Sequence, residues 1–412
     1  MSIPARVVLQ ALGLSLAITA STCVHARGPL GGQPPALGEK KALLIGVDGM
    51  QYEKLLQAID AGDAPHIGGL QLGRSYVGGI EGGPTQARTN SGPGWTTVLT
   101  GTWVNRHGVA DNDPALRNRA TSVFQQIKQA DRMRRTASIV SWATINDNFA
   151  DDIKDGYIDL ARKCHGVDQC VADAASQELE HGDPDFVFAQ FNEPDSTGHN
   201  HGFTPQYQEA IQGVDAQVAQ VLAALERRRQ AHPAEDWLVV VAPDHGRRLP
   251  GGQHHGGQTV SEKTTFIALN KPANAQLTAP LRDPADDPMQ QLQRHASQAD
   301  ITPTVLAHLG LTPSAAEHRM DGLPVIGALG VRQLSYAFNP ATPAVTLHWR
   351  LPDAGRGNPP VVRIFRNGLM VAQRVGAERY TDTALPAGNA PLNYTVATDA
   401  VATSILVQRG AD

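Results

Sequence analysis

Cysteine is scarce: three residues in 412, Cys23, Cys164 and Cys170. No second cysteine or paired-histidine cluster stands at zinc-finger spacing, which argues against a small zinc module. The chain also lacks a charge excess. Lys and Arg total 35 against 40 Asp and Glu, a formal net charge of -5, so there is no basic field to hold a nucleic-acid duplex or an anionic membrane nonspecifically. Any anionic substrate must be captured locally. No apolar run reaches the ~20 residues that a spanning helix needs, so stable membrane insertion is not expected, and no internal repeat is visible.

What is present begins with a leader. Arg6 supplies a positive n-region, Val7 to Ala20 an apolar h-region, and Val24-His25-Ala26 a small-residue cleavage site. Residues 1–26 therefore read as a secretory signal peptide, and the mature chain is expected in the periplasm or outside the cell. Cys23 raises a lipoprotein alternative, but Ala20-Ser21-Thr22 lacks the leucine and small residue of a lipobox. Cleavage after Ala26 would remove Cys23 and leave the pair in KCHGVDQC, best read in an oxidising compartment as a disulfide closing a short loop.

A Gly/Pro-rich linker, 27–40, follows. Apolar runs of strand length come next: Ala42 to Val47, Ala137 to Trp142, Phe186 to Gln190, Trp237 to Ala242 and Thr265 to Leu269. Continuous apolar runs separated by helical stretches imply strands covered on both faces, hence an α/β core with a mostly parallel sheet flanked by helices. Pro205 to Arg229 is one such helix, with Ile211, Val214, Val218, Val221, Leu222 and Leu225 on one face; Asp300 to Leu309 is another. Composition shifts near Ser335 to short alternating segments with turn signals, which implies a small all-β sandwich at the C-terminus. At 412 residues a large core plus a second small domain is expected, with limits of 41–330 and 336–412.

Strands of a parallel sheet end at a common edge, where loops collect ligands. Val47 is followed by Asp48-Gly49, either a metal ligand or an Asp-Gly turn. Gln190 leads into FNEPDSTGHNHG, where Asp195 and His199 lie four apart in a Gly-containing loop; a carboxylate and an imidazole in one loop suit Zn²⁺ or a similar ion. Ala242 is followed by Pro243-Asp244-His245-Gly246, and GGQHHGGQT comes soon after. In PTQARTNSGPGWTTVLTG, Ser91 precedes Gly-Pro-Gly, a turn that could expose its hydroxyl at a helix start, where backbone amides and the dipole favour phosphate. An N-cap serine is the plain alternative.

IGVDGM, SGPGWTTVLTG with NRHGVADN after it, EPDSTGH, PDHG and HHGG occur in an order that resembles the alkaline phosphatase superfamily, closest to its type I phosphodiesterase and nucleotide pyrophosphatase branch, over about Lys41 to Pro324. The resemblance implies a metal-dependent phosphoric ester hydrolase with two divalent ions, zinc by expectation. Asp48, Ser91, Asp244 and His245 would hold one ion; Asp195, His199 and His255 would hold the other. His255 is preferred to His254 because it precedes Gly-Gly, as the family ligand precedes small residues, and neighbours in an extended segment point opposite ways. Ser91 would be the nucleophile, its hydroxyl acidified by a cation, passing through a phosphoseryl intermediate. Asn112 in HGVADN matches an asparagine whose amide donates to a phosphoryl oxygen, or is a turn residue. The branch usually carries threonine where this chain has Ser91.

Alternatives follow from the same residues. A phosphomonoesterase or phospho-transfer enzyme would use the same site. A sulfatase would need C/S-x-P-x-R, and Trp95 stands where that arginine belongs. A non-catalytic binding protein would not need the full ligand set. Arg88 and Asn90 are close enough to Ser91 in sequence to help bind phosphate, with a surface side chain the plain reading of Arg88; His107 and His181 are given structural and turn roles, and Trp95 a packing role with substrate stacking as its alternative. VTLHWRLP, IFRNG, YTDTALPAG and YTVAT resemble a fibronectin type III module, expected as a spacer or for glycan or protein contact; the partner of the core is a small phosphate ester.

Overall fold

A computed structural model describes residues 39–352 and 358–410. The expected signal peptide, Cys23 and the linker up to Gly38 lie outside the described residues.

The core sheet has eight strands: β1 Glu39–Val47, β2 Gln71–Tyr76, β3 Thr136–Val140, β4 Leu160–Lys163, β5 Phe186–Phe191, β6 Glu235–Ala242, β7 Thr264–Leu269 and β8 Ala296–Ser297. They lie in the order β4-β3-β5-β1-β6-β7-β2-β8. β1 is central and parallel to both neighbours, and all its residues from Lys41 to Val47 are buried. Its side chains alternate between two apolar layers: Leu43, Ile45 and Val47 pack with Val214, Val218 and Val221 of the helix Pro205–Ala231, while Ala42 and Leu44 face Val98 and Leu99 of the helix Ser91–Thr100. That double burial is why the strand reads as an unbroken apolar run.

The sheet is the expected mostly parallel one, with a departure at β7, which runs antiparallel to β6 and β2. The 243–263 connection contains only the short helix Val260–Lys263. With no crossover helix to carry the chain back to the starting edge, the next strand must return in the opposite sense. β2, β4 and β8 are also strands, short and partly polar, which the apolar pattern did not reveal. Cys164 and Cys170 are joined in a disulfide, with Cα atoms 5.8 Å apart.

From Arg332 two antiparallel sheets form a sandwich. One contains β9 Arg332–Asn339, β10 Ala344–Arg350 and β13 Arg379–Asp382; the other β11 Val361–Arg366, β12 Leu369–Val375, β14 Leu392–Ala397 and β15 Ala402–Val407. Val345, Leu347, Trp349, Ile364, Tyr394 and Val396 fill the space between them. The sandwich docks on the core through hydrogen bonds: Thr403 Oγ1 donates to Asp321 O at 2.9 Å and Ser404 N to Met320 O at 2.9 Å.

Candidate active site

β1, β5 and β6 end level, with Val47 opposite Phe191 and Gly46 opposite Ala242. The residues that follow each strand therefore meet at one edge. Asp48, Asp244 and His245 form one group of potential ligands and Asp195, His199 and His255 another, the ligand atoms within each group lying within 4.8 Å of one another.

In the first group Ser91 Oγ stands 3.3 Å from Asp48 Oδ1 and 3.3 Å from His245 Nε2. Ser91 is the first residue of its helix and Asn90 the N-cap, so the serine is not the cap. His245 Nδ1 faces Gly246 O at 2.9 Å; only a protonated Nδ1 can bond a carbonyl, which leaves the Nε2 lone pair aimed at the cluster. Asp48 Oδ2 accepts from Trp95 Nε1 at 2.9 Å and Gln190 Nε2 at 3.1 Å. Trp95 does pack, against Phe188, but it also orients a carboxylate. Asp244 Oδ1 accepts from Gly49 N at 3.1 Å.

The second group corrects one expectation. Asp195 and His199 sit on a helix, Asp195–His201, and not in a loop. One helical turn separates them, which brings His199 Nε2 to 3.1 Å from Asp195 Oδ2. His255 Nδ1 bonds Thr89 O at 2.8 Å, so its Nε2 faces inward, 2.9 Å from His199 Nε2. His254 is exposed, so the structure brings in the second of the adjacent histidines. Gly49 has φ 57°, and a Cβ there would strike the Asp195 carboxylate; the close approach of the turn to the cluster needs glycine. Buried Arg247 pairs with Asp195 Oδ1, a contact absent from the sequence reading although it follows PDHG directly.

The electrostatics are those of a site short of positive charge. Burial, then the charges of Asp244 and Asp195, push the Asp48 carboxyl well above its usual range. Asp244 is also raised, by burial and by Asp195. Burial opposes ionisation of Asp195, but the His199 hydrogen bond and the charges of His245, Arg247 and His255 outweigh it and hold its carboxyl below the normal range. Burial lowers the pKa of both His245 and His255. Asp244 Oδ2 is buried without a hydrogen-bond partner among the described residues. Two like-charged carboxylates, an unpartnered oxygen and imidazole lone pairs converging on common points fit divalent cations, which would supply the missing charge.

Ser91 and Asn112 line a cavity of about 340 Å³ together with Trp142, Asn192 and His199. Asn112 Oδ1 accepts the Gly92 amide at 2.8 Å, so that helix-start amide is not free for phosphate. The carboxamide instead keeps its NH₂ for donation into the cavity. Asn90 Nδ2 and Arg88 both turn to Asp111, at 2.8 Å and 3.7 Å, with Arg88 exposed. His107 is buried against Thr97 Oγ1, a structural position, and His181 is on the surface. Gln190, Asn192 and Arg247 each stand beside a motif without belonging to it, and Trp142 ends an apolar run with no motif near it, so sequence reasoning does not single them out.

A family model described as type I phosphodiesterase / nucleotide pyrophosphatase matches residues 42–249, just over half of the chain and every candidate residue except His255. Over 160 residues the chain is 30% identical to a 2,3-bisphosphoglycerate-independent phosphoglycerate mutase of Caenorhabditis elegans. That alignment covers 38% of this chain and 25% of the relative, so the chain spans a quarter of the length of the curated relative it matches. Among solved structures it is similar to murine ectonucleotide pyrophosphatase / phosphodiesterase 5, at 15% identity over 70% of this chain and 97% of that one, with a TM-score of 0.48. It is similar also to a 2-O GAG sulfatase, at 12% identity over 83% and 84%, with a TM-score of 0.49.

Proposed function

The chain belongs to the type I phosphodiesterase / nucleotide pyrophosphatase family, and on that premise we propose that it cleaves small phosphodiesters outside the cytoplasm, with Ser91 as nucleophile. It is a phosphoric ester hydrolase of the alkaline phosphatase superfamily. The observation that carries the finer reading is Ser91 Oγ, at a helix start and 3.3 Å from Asp48 Oδ1 and His245 Nε2, beside a second Asp/His cluster.

Asp48, Ser91, Asp244 and His245 would hold one divalent ion and Asp195, His199 and His255 a second, with zinc suited to the mixed N/O donor set. Bound there, the ions supply Lewis-acid stabilisation of the charge that develops on oxygen. The protein's own groups do the rest. Ser91 Oγ faces acceptors only, so its proton can pass by way of them to solvent as the oxygen attacks phosphorus; the Oγ–P bond forms while the bond to the leaving oxygen breaks, and that oxygen takes a proton from solvent. Asn112 donates its side-chain amide to a non-bridging phosphoryl oxygen. Trp95 and Gln190 hold Asp48, and Arg247 holds Asp195, in fixed orientation. Water then attacks the phosphoserine, the P–Oγ bond breaks and Ser91 regains its proton.

The leader of residues 1–26 supports export, to the periplasm or beyond, and the disulfide is consistent with an oxidising compartment. The sandwich, whose sequence resembles a fibronectin type III module, would serve as a spacer or docking element, glycan or protein being its expected contact. The second reading is a phosphomonoesterase or phospho-transfer enzyme on the same groups. A sulfatase is disfavoured by Trp95, whose buried indole bonds Asp48 where that class needs arginine.

The test is a comparison of bis-p-nitrophenyl phosphate, p-nitrophenyl phosphate, p-nitrophenyl sulfate and a dinucleotide on the zinc-loaded full chain. The two diesters are expected to turn over fastest. Faster monoester cleavage would replace this reading with the second one.

A further inference from the structure

Away from the catalytic cleft, a second polar cavity of about 730 Å³ lies at the far end of the nucleophile helix. Ser91 opens that helix and Thr100 closes it, a separation of roughly 14 Å at 1.5 Å rise per residue. Three guanidinium groups line the cavity, those of Arg106, Arg119 and Arg319, against a single carboxylate, Glu317. With Arg106 paired to Asp321, Arg119 and Arg319 against Glu317 leave a local positive excess in a chain of formal net charge -5, and it raises the concentration of anions there.

Arg106 is paired with Asp321, but each of the three arginines keeps donors that no described residue takes up. Arg106 Nε donates to Asp321 Oδ1 at 2.8 Å, with the side chain only 8% exposed, while its Nη2 is buried and has no hydrogen-bond partner among the described residues. A buried guanidinium nitrogen without an acceptor carries an uncompensated desolvation cost that a bound anion would remove. Arg319 uses Nη1 on the carbonyls of Ala316 and His318 and makes no ion pair among the described residues. Arg119 makes none either. Its guanidinium lies on Gly108, φ 74°, where a Cβ would collide with it, and its backbone N–H bonds His107 O at 3.0 Å. The group is thus seated in place over a residue that has to be glycine. Asn105 lines the same cavity, and its buried Oδ1 is an acceptor without a partner among the described residues.

We propose that this cavity is a second ligand site, taking a hydroxyl-bearing phosphomonoester, with the phosphate on Arg106, Arg119 and Arg319 and a ligand hydroxyl donating to Asn105. A bare oxyanion would leave most of the volume and the Asn105 acceptor unused. A sugar phosphate and a nucleoside monophosphate share the required chemistry. The inference depends on the arginines and not on the reading of the Ser91 site.

Binding should be measured on full-length Ser91→Ala protein after chelation, which stops turnover and removes ions from the catalytic clusters. By equilibrium dialysis, 5′-AMP and ribose 5-phosphate are expected to bind at one site and adenosine at none. The double variant Arg119→Gln/Arg319→Gln, at two exposed positions, should weaken that binding at least tenfold with an unchanged melting temperature. AMP binding tighter than ribose 5-phosphate identifies a nucleotide; equal affinities identify a sugar phosphate. Unchanged affinity in the double variant, or adenosine binding as well as AMP, overturns the proposal. Turnover of bis-p-nitrophenyl phosphate by the wild-type chain tests the other reading separately.

Discussion

The imidazoles of His245 and His255 stack with ring centroids 3.9 Å apart and planes inclined by 19°. Each belongs to a different candidate ligand cluster, and each has its Nδ1 tied to a backbone carbonyl. One stacked pair therefore forms the wall between the two clusters and keeps both Nε2 lone pairs turned toward them. The chemistry proposed for Ser91 depends on that shared wall being rigid, which burial and carbonyl bonds provide.

Replacing the proposed nucleophile, Ser91, separates chemistry from the proposed metal binding. Ser91→Ala is expected to cut turnover of bis-p-nitrophenyl phosphate at least about 10³-fold. Metal content by mass spectrometry should stay near wild type, since Asp48, Asp244 and His245 remain. Retained turnover would remove Ser91 from the role.

Trp95→Phe keeps an aromatic ring against Phe188 but deletes the N–H that bonds Asp48 Oδ2. Loss of such an outer hydrogen bond should lower metal affinity by about 10–100-fold, read by competition with a chromogenic chelator. An unaltered affinity would mean that Gln190 orients Asp48 alone.

Chelator treatment should silence the enzyme, and Zn²⁺ should restore it best. Reactivation by Ca²⁺ alone would favour the sulfatase-type alternative.

Burial, then nearby arginine charge, depresses His107 and His318 to about 3 from the ordinary 6.5. Because the unfolded chain binds their protons at higher pH than the folded one, the stability they contribute is complete above pH 6.5 and drains away as pH falls toward about 3. His107→Gln removes one such group. The melting-temperature gap between wild type and this variant should narrow from pH 7.5 to pH 5 in calorimetry; a constant gap would mean that His107 titrates normally.

The disulfide encloses Asp168, whose carboxylate accepts from Asn192 N and Glu193 N at 2.8 and 2.9 Å, just ahead of Asp195. Replacing both cysteines by serine should cost about 2 kcal/mol by the loop-closure relation, measured by urea unfolding, and should loosen the second cluster more than the first. Equal metal affinity at both clusters in that variant would separate the loop from the site.

Much of the site was legible because its chemistry demands residue types that are unusual at strand ends. Asp48, Asp195 and the Asp244-His245 pair each follow an apolar run, and a run buried on both faces is visible as composition. The sequence places Asp195 and His199 in a loop because DSTGHNH, with Asp, Ser, Gly and Asn among its seven residues, carries little helical signal; packing makes them a helix. The sense of β7 was hidden for a related reason, since strand direction depends on the route of the connection and not on the residues of the strand.

Local sequence by itself determined which segments would be buried and which polar residues would be delivered at their ends, because burial is a property of composition and period. Only the folded chain decided which of those residues meet. The level ends of β1, β5 and β6, the tautomers set by Gly246 O and Thr89 O, and the Arg247 pairing with Asp195 all join positions far apart in the chain. Their geometry comes from packing, and no short stretch of sequence contains it.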